Sequence, residues 1–356
     1  MLTKVTTEGT AHLCDEDRNE ICQNFKSIQT DLTLDALSSI FLSLRTHDEL
    51  QQQLKKLTLC YKTLENDDDK TRYYTGLHTY NVFKLVIDYI HPFIKVHLNT
   101  VLPAEDQILL TLVKLRLNLD FKDLAYRFGI SKFSTSTYFK NTLRIIYLRF
   151  KTLVFWPDRS IILKTVPSCF KESFHENTTI IIDCFEIRTQ TPSNMLAAAQ
   201  SWSNYKHSQT VKYLIGITPQ GSVCFISEGW GGRVSDKFLT QNSVLLNQLV
   251  PGDVVMADRG FLIREFVELF QVSVKIPAFT RGKSQLHPVD LEKTRAIAHV
   301  RIHVERVIGA IRQKYSILHD VVPITLLNTG GEQPILDEIV HVCCALFNLF
   351  SPIVPL

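Results

Sequence analysis

Apolar positions recur every three or four residues between 75 and 150, and beyond 178 they alternate or run together, so helices give way to strands across that interval. Tyr80–His91 is apolar-rich and stops before Pro92. Pro103 precedes a helix starting near Ala104, with Glu105 and Asp106 in its first turn, where the helix dipole favours anions. Ile108, Leu109, Leu112, Val113 and Leu115 give it a core face. Asp120 can cap a helix over Phe121–Phe128, Gly129 supplies a tight turn, and Ser131 can cap a third helix over 132–150. The Ala125–Gly129 spacing predicts a helix-turn-helix: the small residue permits a close crossing and the glycine takes positive φ. Lys132, Lys140, Arg144 and Arg149 on the last helix, with Ser and Thr between them, suit phosphate contacts. A plain helical hairpin with a polar face fits the same pattern.

Ahead of this helical domain, expected over 70–155, residues 1–47 are Thr- and acid-rich and read as partly disordered, with one weakly amphipathic stretch near 33–44. Leu50, Leu54, Leu57, Tyr61 and Leu64 then keep heptad spacing for two heptads. They predict a helix over 48–66, either packed amphipathically or forming a short coiled coil that would make the chain a homo-oligomer. Asn66-Asp67-Asp68-Asp69 breaks it.

After 178 the elements are a strand over Thr179–Ile187, a hairpin of Val211–Thr218 and Ser222–Glu228 around Pro219-Gln220-Gly221, and a helix over Asp236–Leu249. A buried strand at Val254–Ala257, a helix over Phe261–Phe270, a short strand at Val272–Ile276, a loop and a helix over about 291–315 complete the series. This order predicts an α/β domain over 175–350 with a ribonuclease-H-like mixed five-stranded sheet flanked by helices, preceded by the all-helical helix-turn-helix domain.

The composition, 356 residues with 45% hydrophobic and 21% charged, is that of an ordinary globular chain with room for two domains. A net charge of +3 identifies no partner, but its distribution does. Residues 271–319 carry nine Lys/Arg against three acids, which fits a polyanionic substrate or a solvated helix face. The eight cysteines include no Cys-x-x-Cys pair; Cys184, Cys224, Cys343 and Cys344 sit in apolar strings and Cys14 and Cys22 in the N-terminal segment, as reduced cysteine does. His12, Cys14 and Cys22 offer donors for part of a zinc site, although their spacing matches no familiar finger. No signal-peptide core and no run of membrane-spanning length stands in the sequence, so an intracellular protein without a membrane partner is expected.

Three short strings each place one acid in an apolar segment: Ile-Ile-Asp-Cys-Phe-Glu at 181–186, Val-Met-Ala-Asp-Arg-Gly-Phe at 255–261, and Val-Arg-Ile-His-Val-Glu-Arg-Val-Ile-Gly at 300–309. A buried carboxylate is costly unless paired or bound to a cation. Asp183 interrupts a β-branched run, Asp258 follows a strand at its carboxyl end, and Glu305 shares a helix face with Ile302, Ile308 and Gly309, the glycine letting the helix approach the sheet. Taken singly, Asp258 reads as a turn residue and Glu305 as a surface ion pair. Converging, the three cannot all stay ionised without a cation, and two Mg²⁺ or Mn²⁺ ions would serve both the attacking and the leaving oxygen of a phosphodiester. Asp236 competes for the second ligand position but is also placed to cap the helix it begins, and Glu186 lies on the opposite strand face from Asp183 in an outer role. Lys206, His207, Arg233, Arg259, Lys275, Arg281, Lys283 and Arg301 are candidate phosphate contacts; Trp202 and Tyr205 either stack on bases or pack.

These strings resemble the DDE transposases of the PIF/Harbinger superfamily, in particular the animal subgroup that often carries an N-terminal THAP zinc finger. The resemblance runs through Arg72–Ile90, the helix-turn-helix near 105–150, Asp183-Cys184-Phe185-Glu186, Gln200–His207, Gly229–Asp236, Ala257–Phe261, Lys275–Phe279, Arg301–Gly309 and Cys343–Asn348. It implies a DNA endonuclease and strand-transferase of the nucleus, with Asp183, Asp258 and Glu305 as the metal-binding and catalytic triad. The 46 residues between Asp258 and Glu305 suit the family's long last interval. Phe185 stands where relatives commonly have Thr, and no THAP pattern precedes residue 70. The resemblance therefore implies a Myb-like DNA-binding partner, or a host-adopted copy that binds DNA without turnover.

Overall fold

Side-chain oxygens one residue ahead of the first turn mark several of the helix starts. The structure is a computed structural model that describes residues 33–57, 59–95, 100–168, 170–171, 178–278, 288–327 and 333–354. The chain divides into two compact units between Thr58 and Leu59. The first contributes α1 (Leu34–Leu57). The second opens with α2 (Asp68–Thr75), α3 (Tyr80–Ile90), α4 (Ala104–Leu117), α5 (Phe121–Phe128) and α6 (Lys132–Phe150). Asp67, Thr79, Asp120 and Ser131 each accept a hydrogen bond from a first-turn N–H, a cap that stabilises a helix by about 1 kcal/mol. Gly129 closes α5 at φ 64°, the left-handed turn the helix-turn-helix requires.

The N-terminal expectation needs correction. Helix α1 starts well before 48 and ends at Leu57, whereas Tyr61–Leu64 is a separate 3₁₀ turn in the second unit. There Asp106 accepts a 2.6 Å hydrogen bond from the Tyr61 N–H, and Leu64 is buried in the core. The apparent heptads cross a boundary between units. The remaining N-terminal candidates, His12, Cys14 and Cys22, lie outside the described residues.

A short helix, α7 (Arg159–Lys164), leads to the sheet. Strand β1 (Ile180–Arg188) is followed by α8 (Met195–Ser201), β2 (Trp202–Ser203), β3 (Ser208–Ile217), β4 (Val223–Ile226), β5 (Trp230–Gly231) and α9 (Asp236–Asn242). Then come β6 (Val254–Met256), α10 (Arg264–Val267), β7 (Ser273–Lys275), α11 (Pro288–Lys314) and α12 (Ile335–Phe347). The strands run β2-β3-β1-β6-β7, with β4 and β5 also paired to β3. Strand β1 is antiparallel to β3 and parallel to β6, and β6 is parallel to β7. The five principal strands, β4-β3-β1-β6-β7, form the mixed ribonuclease-H-like sheet; the two-residue β2 and β5 are additions at the β3 side.

Period-two alternation along β1 feeds two cores. Ile181, Phe185 and Ile187 face one side with Tyr213, Ile215 and Ile217 of β3 and the α11 stripe Ile297, Val300, Val304, Val307 and Ile311. Ile180 and Ile182 face the other, with Leu214, Leu239, Val255 and Phe261. Each such side chain contributes about 1.5–3 kcal/mol by leaving water. The first core also takes Phe83 of α3, Leu109 of α4 and Phe139 of α6, so segments 70–155 and 175–350 share one core in place of two. Arg116 of α4 donates to the Gln313 carbonyl at 3.0 Å and to that of Lys314, covering the orphan carbonyls at the end of α11.

Two further details differ from expectation. The segment 236–249 breaks at Ser243 into α9 and a 3₁₀ turn, Val244–Gln248. A Cβ built at Gly309 would meet nothing within 4 Å, so close approach of α11 does not depend on that glycine. Ile302 is exposed as well; the buried stripe runs through Val300, Val304 and Val307.

Candidate active site

The sheet register sets the first two carboxylates side by side. Ile181 of β1 pairs with Met256 of β6, and Asp183 and Asp258 each lie two residues further along parallel chains. Adjacent strands are about 4.8 Å apart. On its other side β6 stays in line with β7, where the Ala257 N–H donates to the Lys275 carbonyl at 3.2 Å. Asp183 belongs to the β1 face covered by α11, and Glu305 on α11 lies beside Val304, which is buried against that face. The Asp183 side chain is 19% exposed, while Asp258 and Glu305 are about half exposed.

One cation stands among all three. Arg301, one turn before Glu305, reaches Glu305 Oε1 with Nη2 at 2.8 Å, Asp183 Oδ2 with Nη1 at 3.8 Å and Asp258 Oδ1 with Nε at 3.9 Å. Only the first is hydrogen-bond length, and the buried Arg301 Nε–H has no acceptor. Burial pushes the Asp183 carboxyl from 3.8 up to about 6. The Cys184 N–H at 2.8 Å and Arg301 favour its charge, whereas Asp258 and Glu305 oppose it. Among the described residues, no three His, Cys, Asp or Glu side chains are grouped closely enough to hold a metal ion as they stand.

A second polar cluster lies on the other face of β1. Lys212 of β3, directly across from Glu186 in the ladder, lies 3.5 Å from Glu186 Oε1 and 3.2 Å from Asp236 Oδ1 and donates to the Val234 carbonyl at 2.9 Å. Thr210 Oγ1 donates to Glu186 Oε2 at 2.8 Å. Burial acts against the Lys212 charge, but Asp236 and Glu186 outweigh it and raise its pKa. Asp236 is not the helix cap: Ser235 is, accepting from the Phe238 N–H, and Asp236 is the first residue of α9. Its carboxylate adjoins the turn after Asp258, since a Cβ at Gly260 would lie 3.0 Å from Asp236 Oδ2. Lys212, which organises this cluster, escaped the sequence reading although it is the one charge in its strand.

Comparison with known families bears on the same segments. Residues 182–348 match the DDE superfamily endonuclease, and residues 100–152 match the helix-turn-helix of DDE superfamily endonuclease. The chain carries a DDE superfamily endonuclease domain. The matched segment begins one residue before Asp183 and includes Asp258 and Glu305, and the second match spans α4 to α6. No curated protein and no solved structure matches the chain.

The basic candidates of the endonuclease domain and its helix-turn-helix fall into distinct settings. Lys132 and Lys140 are exposed on α6. Arg144 on the same helix is instead ion-paired with the buried Glu338 of α12, which turns an expected phosphate contact into an interhelical bond. Arg149 lies over the Tyr89 and Phe93 rings. Lys206 and His207 are exposed at the β2–β3 turn, Lys206 over the ring of Tyr205. Arg233 is exposed ahead of α9, and Arg259 in the turn after Asp258. Lys275, at the end of β7, has its pKa lowered by burial. Arg281 and Lys283 lie outside the described residues. Phe185 stacks on Tyr213 with ring centroids 5.7 Å apart, a packing role. Among the described residues no helix is long and apolar enough to cross a membrane.

Proposed function

We propose that this chain is a metal-dependent DNA endonuclease of the transposase type, with Asp183, Asp258 and Glu305 as the carboxylates that hold two Mg²⁺ or Mn²⁺ ions. The observation that carries this reading is the meeting of three acids from β1, the end of β6 and α11 on one guanidinium, in the segment matched to the endonuclease family. The donor set suits hard cations, which take carboxylate oxygen. Asp183 is buried enough that its ionised form is disfavoured, so a cation would relieve a cost already present. Bound there, the ions would activate the attacking oxygen and stabilise the leaving one.

The chain's own residues supply the rest. Strand β1, anchored on both sides, fixes Asp183, and the half-exposed Asp258 and Glu305 open the site to a polyanion. Lys132 and Lys140 on α6 and Arg259 beside Asp258, all exposed, would make the phosphate contacts, which orient a duplex without reading its sequence. The PIF/Harbinger subgroup, a Myb-like partner that finds the target and a nuclear location belong to the same reading.

Plasmid nicking tests it. Supercoiled DNA in Mg²⁺ or Mn²⁺ is cut by the wild-type chain and not by Glu305→Gln. A second reading, a transposase-derived DNA binder without turnover, draws on Arg301 standing where the cation is needed. Duplex binding with no nicking by either protein selects it.

A further inference from the structure

We propose that Arg301 is a built-in counter-ion of the three carboxylates, holding the space between them until a divalent cation displaces it. The proposal rests on the metal-dependent reading above and adds a competitor to it. The strongest guanidinium–carboxylate pairs use the two-pronged fork. Arg301 does not: one 2.8 Å bond goes to Glu305, two contacts of 3.8 and 3.9 Å are divided between Asp183 and Asp258, and the buried Nε–H goes without an acceptor. The group is central but loosely held.

Mg²⁺ needs its oxygens at about 2.0–2.1 Å, so it must draw in the same carboxylate atoms that now face the guanidinium. Two cations competing for those oxygens repel each other at such range. Arg301 can leave without moving the backbone, because it is a long side chain on the face of α11 and the neighbouring Asp258 and Glu305 open to solvent. Metal-free, the guanidinium keeps three like charges from facing one another uncompensated. Metal-bound, it is free to meet a phosphate.

Metal affinity, measured apart from cleavage, decides the matter. The full chain, stripped with chelator, is titrated with Mn²⁺ by calorimetry as wild type, Arg301→Met, Arg301→Lys and Glu305→Gln. We expect Arg301→Met to bind Mn²⁺ on the order of tenfold more tightly, the factor for one charge-assisted hydrogen bond that the metal no longer has to break. Arg301→Lys should fall between, and Glu305→Gln should weaken binding. In chelator Arg301→Met should melt below the wild type, and Mn²⁺ should raise its Tm by more. Equal or weaker Mn²⁺ binding by Arg301→Met, with Glu305→Gln still weakened, overturns the proposal and leaves the metal-dependent reading standing. No Mn²⁺ response from any of the four overturns both. If Arg301→Met does not fold without metal, Arg301→Lys decides: tighter binding than wild type supports the proposal, equal or weaker binding overturns it.

Discussion

Replacing Asp183 with Asn should make the metal-free protein more stable at neutral pH, and the gain should disappear in acid. Burial moves the Asp183 carboxyl from 3.8 to about 6, so the folded chain holds that proton more tightly than the unfolded chain. The contribution of such a group is fully present below pH 4 and is lost as pH rises through about 6. At 1.36 kcal/mol per tenfold, the ionised carboxylate costs about 2–3 kcal/mol at pH 7–8. Asn carries no charge at any pH and can keep the bond from the Cys184 N–H, which goes to a carboxylate oxygen an amide oxygen can replace. For a unit of this size the gain corresponds to a Tm rise of about 3–5 °C. The assay is thermal melting in chelator from pH 4 to 8, with Glu305→Gln alongside; that half-exposed side chain should instead lose no more than about 1 kcal/mol. An Asp183→Asn protein no more stable than wild type at pH 8, or equally stabilised at pH 4, refutes the argument that burial strains this carboxylate.

Other outcomes follow from the same geometry. Asp183→Asn should abolish nicking while duplex affinity, read by fluorescence anisotropy, holds or rises, because a charge that repels phosphate is gone. Lys212→Met should destabilise by about 3–5 kcal/mol in chemical denaturation, since it leaves Glu186, 7% exposed, without its cation. Gly309→Ala should raise stability by about 0.5–1 kcal/mol, as the new methyl meets nothing within 4 Å inside a helix. Gly232→Ala should do the reverse, because its Cβ would lie 1.9 Å from Thr210 Oγ1. Removing both Lys132 and Lys140 should weaken duplex binding uniformly across sequences and lower the slope of log affinity against log salt by about one for each phosphate left without its lysine.

Much of this architecture could be read along the chain because its determinants are local. Asp120, Gly129 and Ser131 mark one helix end and two helix starts with their own backbone and side chains, and they do so in the structure. Likewise Asp183 announced itself by interrupting a run of isoleucines. Features that depend on which element meets which were not legible. Glu186 and Lys212 are cross-strand neighbours, but a helix and a short strand intervene between β1 and β3, so no turn fixes their register in sequence. Arg144 looks like any basic residue on a recognition helix until α12 brings a buried Glu338 against it. Gly309 suggested a close crossing that valines, not a glycine, provide.

Arg301 is the sharpest case, because its local context misleads. An Arg four residues before a Glu on a helix is ordinarily a surface pair worth under about 1 kcal/mol. Only the convergence of β1 and the β6 turn on α11 puts two more carboxylates within 4 Å of it. The resulting cluster has three acids and one base, an imbalance a purely structural site has no reason to keep. A chain that only bound DNA would gain stability by losing the Asp183 charge and would also stop repelling phosphate there. On the proposed reading, a carboxylate only 19% exposed beside two others is physically sensible because a cation of higher charge takes the place of the guanidinium, and for that reason we prefer catalysis to binding alone.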